Sequence, residues 1–216
     1  MTEHSVKRSL INGRFLIWLV MLILVAIPAR ANEPPVLYVL GDSLTAGYGL
    51  PPEFAFPQRL QKYLVEQGIA VRVENAGVSG DTTADGLARL DWSVGPDADA
   101  VILELGANDA LRGLPPETAE ANLDAILQRL RERKLPVLIA GMMALRNLGP
   151  EYTAAFDGIY PKLAKKYDAP LFAFFLQGVA QDPALNQPDM LHPNEAGVDV
   201  IVRNIAPQVI ELLRGL

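Results

Sequence analysis

The chain has 216 residues, half of them hydrophobic, and its 19 basic and 25 acidic residues give a formal net charge of −6. This length is enough to bury one sizeable core, and the acidic balance argues against a nucleic-acid-binding or anionic-membrane surface. The absence of cysteine excludes a disulfide framework and a cysteine-lipidated leader.

The start of the chain has the pattern of a secretory signal peptide. A basic stretch ending at Arg14 precedes an unbroken apolar run over 15–27, and a small-x-small pattern ends at Ala31. The run is shorter than the roughly 20 residues that a membrane span needs. We expect residues 1–31 to be cleaved, leaving a periplasmic or secreted protein over 32–216 with no stable membrane insertion. Retention of the leader as an anchor is the alternative.

The mature chain alternates apolar runs typical of buried strands with amphipathic stretches typical of helices. The predicted strands are 36–40, 69–73, 100–105, 137–140 and 170–174. The predicted helices are 54–68, 117–133, a stretch near 151–167, and a last helix that Asn194 caps and Pro207 should kink or break. Five strands that alternate with helices over short connections predict an α/β domain with a parallel sheet covered on both faces.

Polar, turn-forming segments follow the predicted strands. Ser43 follows the first strand, Gly80 the second and Asn108 the third, while Asp189 and His192 lie beyond the fifth. Ligands of such sheets bind at the carboxyl ends of the strands. We therefore expect these residues to lie along one edge of the sheet.

The residue types in these segments suit nucleophilic catalysis. His192 is the only histidine outside the predicted leader, and it is the one imidazole available to take the proton of the Ser43 hydroxyl. Asp189 precedes His192 by three residues, so its carboxylate can accept a hydrogen bond from the ring and fix its tautomer. The alternative interpretation is an exposed Asp-x-x-His turn that caps the last helix.

Acyl transfer also needs hydrogen-bond donors for the developing oxyanion, each worth about 2.7–4 kcal/mol. The candidates are the backbone amides of Ser43 and Gly80 and the side-chain amide of Asn108. Glycine lets the backbone approach a ligand closely. Two simpler roles stay open, since Asn108 is also typical of a turn and Ser43 of a helix N-cap.

Four segments together resemble the four blocks of the GDSL or SGNH hydrolase family. They are Gly-Asp-Ser-Leu at 41–44, Gly80, Gly-Ala-Asn-Asp at 106–109 and Asp-Met-Leu-His-Pro at 189–193. Within the family, the chain most resembles bacterial periplasmic multifunctional esterases described as thioesterase, lysophospholipase and arylesterase. The resemblance implies a flavodoxin-like three-layer α/β/α sandwich with a five-stranded parallel sheet.

The resemblance also implies roles for single residues. Ser43 is then the nucleophile, His192 the general base and acid, and Asp189 its orienting partner, while Ser43, Gly80 and Asn108 form the oxyanion hole. No cofactor or metal is expected, and the expected substrate is a small acyl ester or a lysophospholipid, bound by a monomer that does not bind nucleic acid. Many relatives have glycine where this chain has Ala107, whose methyl group should narrow the pocket.

The acyl-binding side rests on the same resemblance. In relatives, the loop after the asparagine block contacts the acyl chain, and here it would present Leu111 and Leu114. The segment after the fourth strand is a candidate for the opposite wall, through Met142, Met143, Leu145 and Leu148. Ordinary core or rim positions are the alternative for all of these side chains.

Three competing functions remain at this point. A carbohydrate O-acetylesterase uses the same four blocks and would act on acetyl groups alone. A non-catalytic acyl- or glycan-binding protein would keep the fold without the reaction. A metal-dependent hydrolase would need a site made wholly of carboxylates, since one histidine and no cysteine remain after cleavage.

Overall fold

The computed structural model describes Met1 and residues 33–216. The predicted leader and its cleavage site therefore lie outside the described residues, apart from Met1. The strands, in chain order, are β1 (Val36–Gly41), β2 (Arg72–Gly77), β3 (Ala100–Glu104), β4 (Val137–Ala140) and β5 (Leu171–Phe172). All pairings are parallel, and the sheet order is β2-β1-β3-β4-β5.

The connections between the strands are mostly helical. The helices are α1 (Ser43–Ala46), α2 (Phe56–Glu66), α3 (Thr83–Ser93), α4 (Ala107–Leu111), α5 (Pro116–Glu132), α6 (Pro150–Asp157), α7 (Ile159–Tyr167) and α8 (Glu195–Arg214). Short 3₁₀ turns cover Pro52–Phe54 and Arg146–Leu148. Helices α2 and α8 contact each other, whereas α5 contacts α3, α6 and α7. These two groups are the outer layers of the expected three-layer α/β/α sandwich.

The core explains why the strands read as apolar runs in the sequence. All five residues of β3 are buried, as are all four of β4, because each of these strands has a neighbour on both edges and helices on both faces. Leucine and isoleucine side chains along one face of α5 complete the packing at Leu123, Ile126, Leu127 and Leu130. The fold prediction is confirmed.

The prediction for the second strand is wrong in position. The strand runs over Arg72–Gly77 rather than 69–73. It lies at an edge of the sheet, so Arg72 and Asn75 are exposed and the apolar run does not mark its extent. The following segment nevertheless starts where it was expected, with Gly80 beyond the carboxyl end of β2.

Three helical predictions also need correction. Helix α3 was not predicted, because its buried face includes Thr83, Gly86 and Arg89 beside a single leucine, Leu90. The stretch near 151–167 is two helices, α6 and α7. Helix α8 begins after the Asn194 cap as predicted, but it continues through its internal proline to Arg214.

Pro207 is tolerated because it lies on the exposed side of α8. A proline removes the hydrogen bond to the carbonyl four residues earlier, which is that of Arg203. Both residues are exposed, so that carbonyl faces water, which can satisfy it. The prediction that Pro207 breaks the last helix is therefore wrong, because the helix continues through this proline on its exposed side.

Candidate active site

The turn after β1 presents Ser43 at the edge of the sheet. Ser43 is the first residue of α1, and the N-cap is Asp42, whose Oδ1 accepts a hydrogen bond from the Leu44 backbone N–H at 3.0 Å. Ser43 is therefore not the helix cap, and its hydroxyl is free to point toward other groups. The neighbouring strand ends align with this turn, since Gly41 pairs with Gly77 on β2 and Glu104 on β3.

His192 lies against the Ser43 hydroxyl. Its Nε2 is 2.9 Å from Ser43 Oγ, and its Nδ1 is 2.7 Å from Asp189 Oδ2. Asn194, and not the Asp-x-x-His turn, caps α8 by accepting from the Gly197 backbone N–H at 3.0 Å. The three side chains expected from the sequence thus form one continuous chain of hydrogen bonds.

Asp189 is held as a charged acceptor. Its Oδ1 accepts from the backbone N–H groups of Leu191 and His192, each at 3.0 Å, while Oδ2 faces the imidazole. The His192 backbone N–H, followed by its ring, lowers the pKa of Asp189 to about 2. Met190 takes a positive φ of 60°, a conformation that is rare for a residue other than glycine, to complete this tight turn.

The His192 loop is also tied to the Ser43 loop. Gln187 donates from Nε2 to the Tyr48 carbonyl at 2.7 Å and from its backbone N–H to the His192 carbonyl at 2.8 Å. The Tyr48 ring lies 4.6 Å from the imidazole, centroid to centroid, at an angle of 38°. These contacts fix the direction of the imidazole relative to the serine.

The three candidate oxyanion donors come from the ends of three adjacent strands. Gly80 has a positive φ of 90°, and in the described residues neither its backbone N–H nor that of Ser43 donates a hydrogen bond. The Asn108 side-chain amide donates to Asp42 Oδ2 at 3.1 Å and to the Asp81 carbonyl at 3.0 Å. Asn108 is therefore more than a turn residue, because it links the Ser43 turn to the Gly80 segment.

A buried arginine supports the same strand ends. Arg89 forms an ion pair with Asp81 and donates to the carbonyls of Gly41 and Ala76, at 2.7 and 2.8 Å. Because α3 was not predicted, nothing in the sequence analysis placed Arg89 beneath the site. Its only signal was a basic residue among the mostly small and apolar residues of 83–90.

Two buried carboxyl groups lie directly behind Ser43. Asp42 and Glu104 are both fully buried, and Glu104 Oε2 accepts from the Thr45 hydroxyl at 2.7 Å and from the Asp42 backbone N–H at 3.3 Å. Burial raises the pKa of Asp42 to about 6. Burial, and then the charge of Asp42, raise the pKa of Glu104 well above its usual range.

A cavity of about 700 Å³ opens beside Ser43, His192 and Asn108. Most of its walls are apolar side chains, which come from four parts of the chain: Leu44, Ala107, Ala110, Leu111, Met142, Met143, Ala144, Leu145, Phe174, Leu176, Ala180, Met190 and Leu191. Apart from Ser43, His192 and Asn108, polar side chains line a smaller share of the cavity. The volume is within the range of sites that enclose a drug-sized ligand.

Only some of the predicted acyl-binding residues line the cavity. Leu111 does, but Leu114 is not among the lining residues, and its carbonyl instead accepts a hydrogen bond from the Tyr152 hydroxyl at 2.8 Å. On the other side Leu148 packs against the core rather than the cavity. The sequence did not point to Phe174 or Leu176, which belong to no motif, or to Met190, whose motif was interpreted only through Asp189 and His192.

Two other kinds of site would need either a cluster of metal ligands or a membrane-spanning helix. Over residues 33–216, no group of three or more histidine and acidic side chains is arranged to hold a metal ion. Over the same residues, none of the helices combines the length and the apolar character required to cross a membrane.

Comparison with known proteins identifies the family. The profile of the GDSL-like lipase/acylhydrolase family matches residues 39–200. An arylesterase of Vibrio mimicus is 37% identical over 199 residues, which cover 92% of this chain and 98% of the relative. The thioesterase 1/protease 1/lysophospholipase L1 of Escherichia coli K12 is 37% identical over 203 residues, or 94% and 96% of the two chains.

A solved structure agrees with these relatives. The crystal structure of AlinE4, an SGNH-hydrolase family esterase, superposes with a TM-score of 0.71 at 48% identity, covering 83% of this chain and 96% of that one. The resemblance carried by the four sequence blocks is thereby confirmed. The chain belongs to the GDSL-like lipase/acylhydrolase family and is a carboxylic ester hydrolase with the SGNH-hydrolase fold.

Proposed function

We propose that this ester hydrolase cleaves acyl esters and thioesters through an acyl-enzyme on Ser43. The observation that carries the proposal is the hydrogen-bonded series from Ser43 Oγ to His192 Nε2 at 2.9 Å and from His192 Nδ1 to Asp189 at 2.7 Å. A serine becomes a useful nucleophile only when a base takes its proton, and this histidine is in position to do so.

In the first half of the reaction, Ser43 Oγ attacks the carbonyl carbon as His192 Nε2 takes the hydroxyl proton. The tetrahedral intermediate collapses when the bond to the leaving oxygen or sulfur breaks and His192 returns the proton to that atom. In the second half, a water attacks the acyl-enzyme while His192 takes its proton. The bond between the acyl carbon and Ser43 Oγ then breaks, His192 returns the proton to Oγ, and the carboxylic acid leaves. Asp189 stays ionised throughout and stabilises the imidazolium.

The proposed oxyanion hole consists of the Ser43 and Gly80 backbone N–H groups and the Asn108 amide. Two of these donors make no other hydrogen bond in the described residues, so they need not give one up when the oxyanion forms. Pre-positioned donors of this kind stabilise the charge that develops in the transition state more than the neutral carbonyl of the substrate.

The cavity supports an acyl chain of medium or greater length as the preferred acid portion. Its walls are mostly leucine, methionine, alanine and phenylalanine, and each buried methylene group of an acyl chain gains about 0.8 kcal/mol. The names of the relatives, arylesterase and lysophospholipase, point to aryl esters and lysophospholipids as candidate substrates. A carbohydrate O-acetylesterase would leave most of this apolar volume unused.

We further propose that residues 1–31 are a secretory leader and that the mature enzyme is a monomer in the periplasm or outside the cell. The basic stretch, the short apolar run and the small-x-small pattern of the sequence support this proposal. N-terminal sequencing of the exported protein tests it, since a first residue of Asn32 is expected and retention of Met1 would contradict cleavage. Size-exclusion chromatography of the same sample tests the monomer.

A chain-length series tests the substrate proposal. We would measure kcat/KM of the mature protein on p-nitrophenyl esters from acetate to palmitate, with Ser43→Ala as the matched variant. Activity that peaks at medium or long chains and disappears in the variant is the expected result. Activity confined to acetate would transfer the assignment to the O-acetylesterase, and no activity at any length in folded protein would favour the binding protein. Insensitivity to chelators is expected in every arm.

A further inference from the structure

Asp42 makes contact with both halves of the proposed oxyanion hole. Its carboxylate is fully buried, with Oδ1 accepting from the Leu44 backbone N–H in the Ser43 turn and Oδ2 accepting from the Asn108 side chain. A single carboxylate therefore fixes the distance between the serine turn and the asparagine amide. A buried charge is costly, and a chain does not keep one without compensating contacts.

The Asn108 amide already has two acceptors before any substrate binds. A primary amide carries two hydrogens, and they serve Asp42 Oδ2 at 3.1 Å and the Asp81 carbonyl at 3.0 Å. Donation to an oxyanion thus requires that one of these contacts be shared or given up. A hydrogen bond to a charged acceptor is about twice as strong as one to a neutral acceptor. We therefore expect the hydrogen bond to the Asp81 carbonyl, and not the one to Asp42, to break when the oxyanion forms.

We propose that Asp42 is a positioning residue for Asn108, whose carboxylate keeps one amide hydrogen while the other passes from the Asp81 carbonyl to the substrate oxyanion. The inference deepens the proposed function, because it matters only if Asn108 is an oxyanion donor. It assigns a role to the aspartate that precedes the nucleophile, and this role acts through Asn108 and not through contact with the substrate.

The hydrogen bonds favour a charge on Asp42 over one on Glu104. Both carboxyl groups are fully buried; Glu104 Oε1 has no hydrogen-bond partner among the described residues, and Oε2 accepts from Thr45 and from the Asp42 backbone N–H. Each Asp42 oxygen accepts a hydrogen bond, one from the Leu44 N–H and one from the Asn108 amide. A buried carboxylate with an unpartnered oxygen is the less stabilised of the two, so the negative charge is better accommodated on Asp42.

The surroundings of Asp42 set when that charge is lost. The polar and charged groups that act on it from the other elements are Glu104, Asn108, Asp81, His192 and Tyr160. Arg89 bridges Asp81 and the Gly41 carbonyl. With a pKa of about 6, Asp42 takes up a proton over the same range in which histidines do. A protonated Asp42 no longer offers Asn108 a charged acceptor.

The pH profile of the wild-type enzyme is the first test. We expect kcat/KM to fall on the acid side with a slope steeper than one proton per pH unit below about pH 6, since protonation of Asp42 adds to the single proton uptake expected of any general base. In Asn108→Ala the slope of the acid limb should return to one. This variant lacks the side-chain amide that donates to Asp42, so the charge of Asp42 no longer affects the reaction. Slopes of one in both proteins would overturn the proposal without relying on any variant at position 42.

A double-mutant cycle is the second test. Asp42→Asn should lower kcat by about 10- to 100-fold with KM within about threefold, less than the 10²–10³-fold typical of removing a donor outright. In the Asn108→Ala background the same change should cost less than about threefold, because its effect passes through Asn108. Losses that simply multiply would show that Asp42 acts elsewhere.

Asp91→Asn is the matched control. It makes the same chemical change at a side chain that is 74% exposed and whose ion-pair partner is Arg129, so kcat should stay within about threefold of wild type. Thermal unfolding of each variant separates misfolding from lost chemistry. The outcomes also separate the role of Asp42 from the proposed function. Substantial activity of Ser43→Ala would overturn both. If Ser43→Ala is inactive but the effects of Asp42→Asn and Asn108→Ala are independent, only the role of Asp42 is overturned.

Discussion

The two sides of the cavity are built in different ways. On the strand-end side, buried polar groups hold one another through several hydrogen bonds each, as in the Asp42, Asn108 and Arg89 contacts. On the outer side, Met143, Leu145, Met190, Leu191 and Leu111 line the opening with 40–45% of their surface exposed. A network in which each group has several partners fixes geometry, whereas exposed apolar side chains can be exchanged at small cost to the fold.

This contrast predicts that substitutions on the strand-end side change kcat, whereas those on the outer side change selectivity. The former act on groups that stabilise the developing charge, and the latter on groups that touch only the acyl chain.

The largest effect is expected from the proposed base. His192→Ala should lower kcat by about 10⁴-fold or more, as loss of a member of a catalytic triad does elsewhere. Steady-state kinetics on a p-nitrophenyl ester measures the change, with Asp182→Asn, an exposed acidic residue in the same long loop, as the control. A folded His192→Ala variant within tenfold of wild type would remove the histidine from the reaction.

A smaller loss is expected from the proposed oxyanion donor. Asn108→Ala should lower kcat by about 10²–10³-fold and leave KM nearly unchanged, because the amide stabilises charge that is absent in the bound substrate. The split between kcat and KM is the measurement that matters here. A rise in KM alone would mean that Asn108 binds the substrate rather than the transition state.

Substitutions on the outer side of the cavity should change the selectivity for acyl-chain length. Met143→Ser removes an apolar side chain that lines the cavity, so kcat/KM for a long-chain ester should fall by about 10-fold, which corresponds to about 1–2 kcal/mol of lost burial. The acetate ester should change by less than about twofold. Trp92→Ser is the matched control, since Trp92 is 73% exposed and does not line the cavity. Equal losses on short and long esters would contradict a role in chain selection.

The smallest effect concerns stability. The pKa of Glu104 is raised in the folded state, so wild type loses stability as pH rises above the usual glutamate value, where only the unfolded chain releases this proton. Glu104→Gln does not titrate and should therefore gain stability relative to wild type between pH 4 and pH 7. Urea unfolding at the two pH values measures the difference. A stability gain of Glu104→Gln that is larger at pH 4 than at pH 7 would contradict a raised pKa of Glu104 in the folded protein.

Asp189 should behave in the opposite way. Its pKa of about 2 lies below the usual value, so its contribution is present at neutral pH and is lost only as the pH falls from about 4 toward 2. Because the side chain is 38% exposed, that contribution is small. The acid limb of activity above pH 4 thus cannot arise from protonation of Asp189.

The sequence predicted the strand-end side much better than the outer side. Ser43, Gly80 and Asn108 each follow a strand, and in a parallel sheet the strand ends must meet, so even a misplaced second strand did not disturb the expectation. The order of the strands places β1 between β2 and β3, which brings the three segments together. The resemblance to the family then supplied their roles.

The sequence could not give the supports or the outer wall. Arg89 is on a helix whose buried face contains threonine and glycine, so no apolar periodicity revealed either the helix or its direction. Phe174 and Met190 reach the cavity from irregular segments, where side-chain direction depends on tertiary contacts alone. Leu114 was expected to touch the substrate by its place in a loop, but the structure places it outside the cavity lining.

Covalent trapping of the nucleophile tests the proposed mechanism most directly. We would treat the mature protein with a fluorophosphonate, measure its intact mass and map the modified peptide. We predict one adduct per chain, on Ser43, with loss of esterase activity in proportion to labelling and no adduct in Ser43→Ala. Complete labelling at another residue, or full activity after Ser43 is modified, would contradict nucleophilic catalysis at this serine.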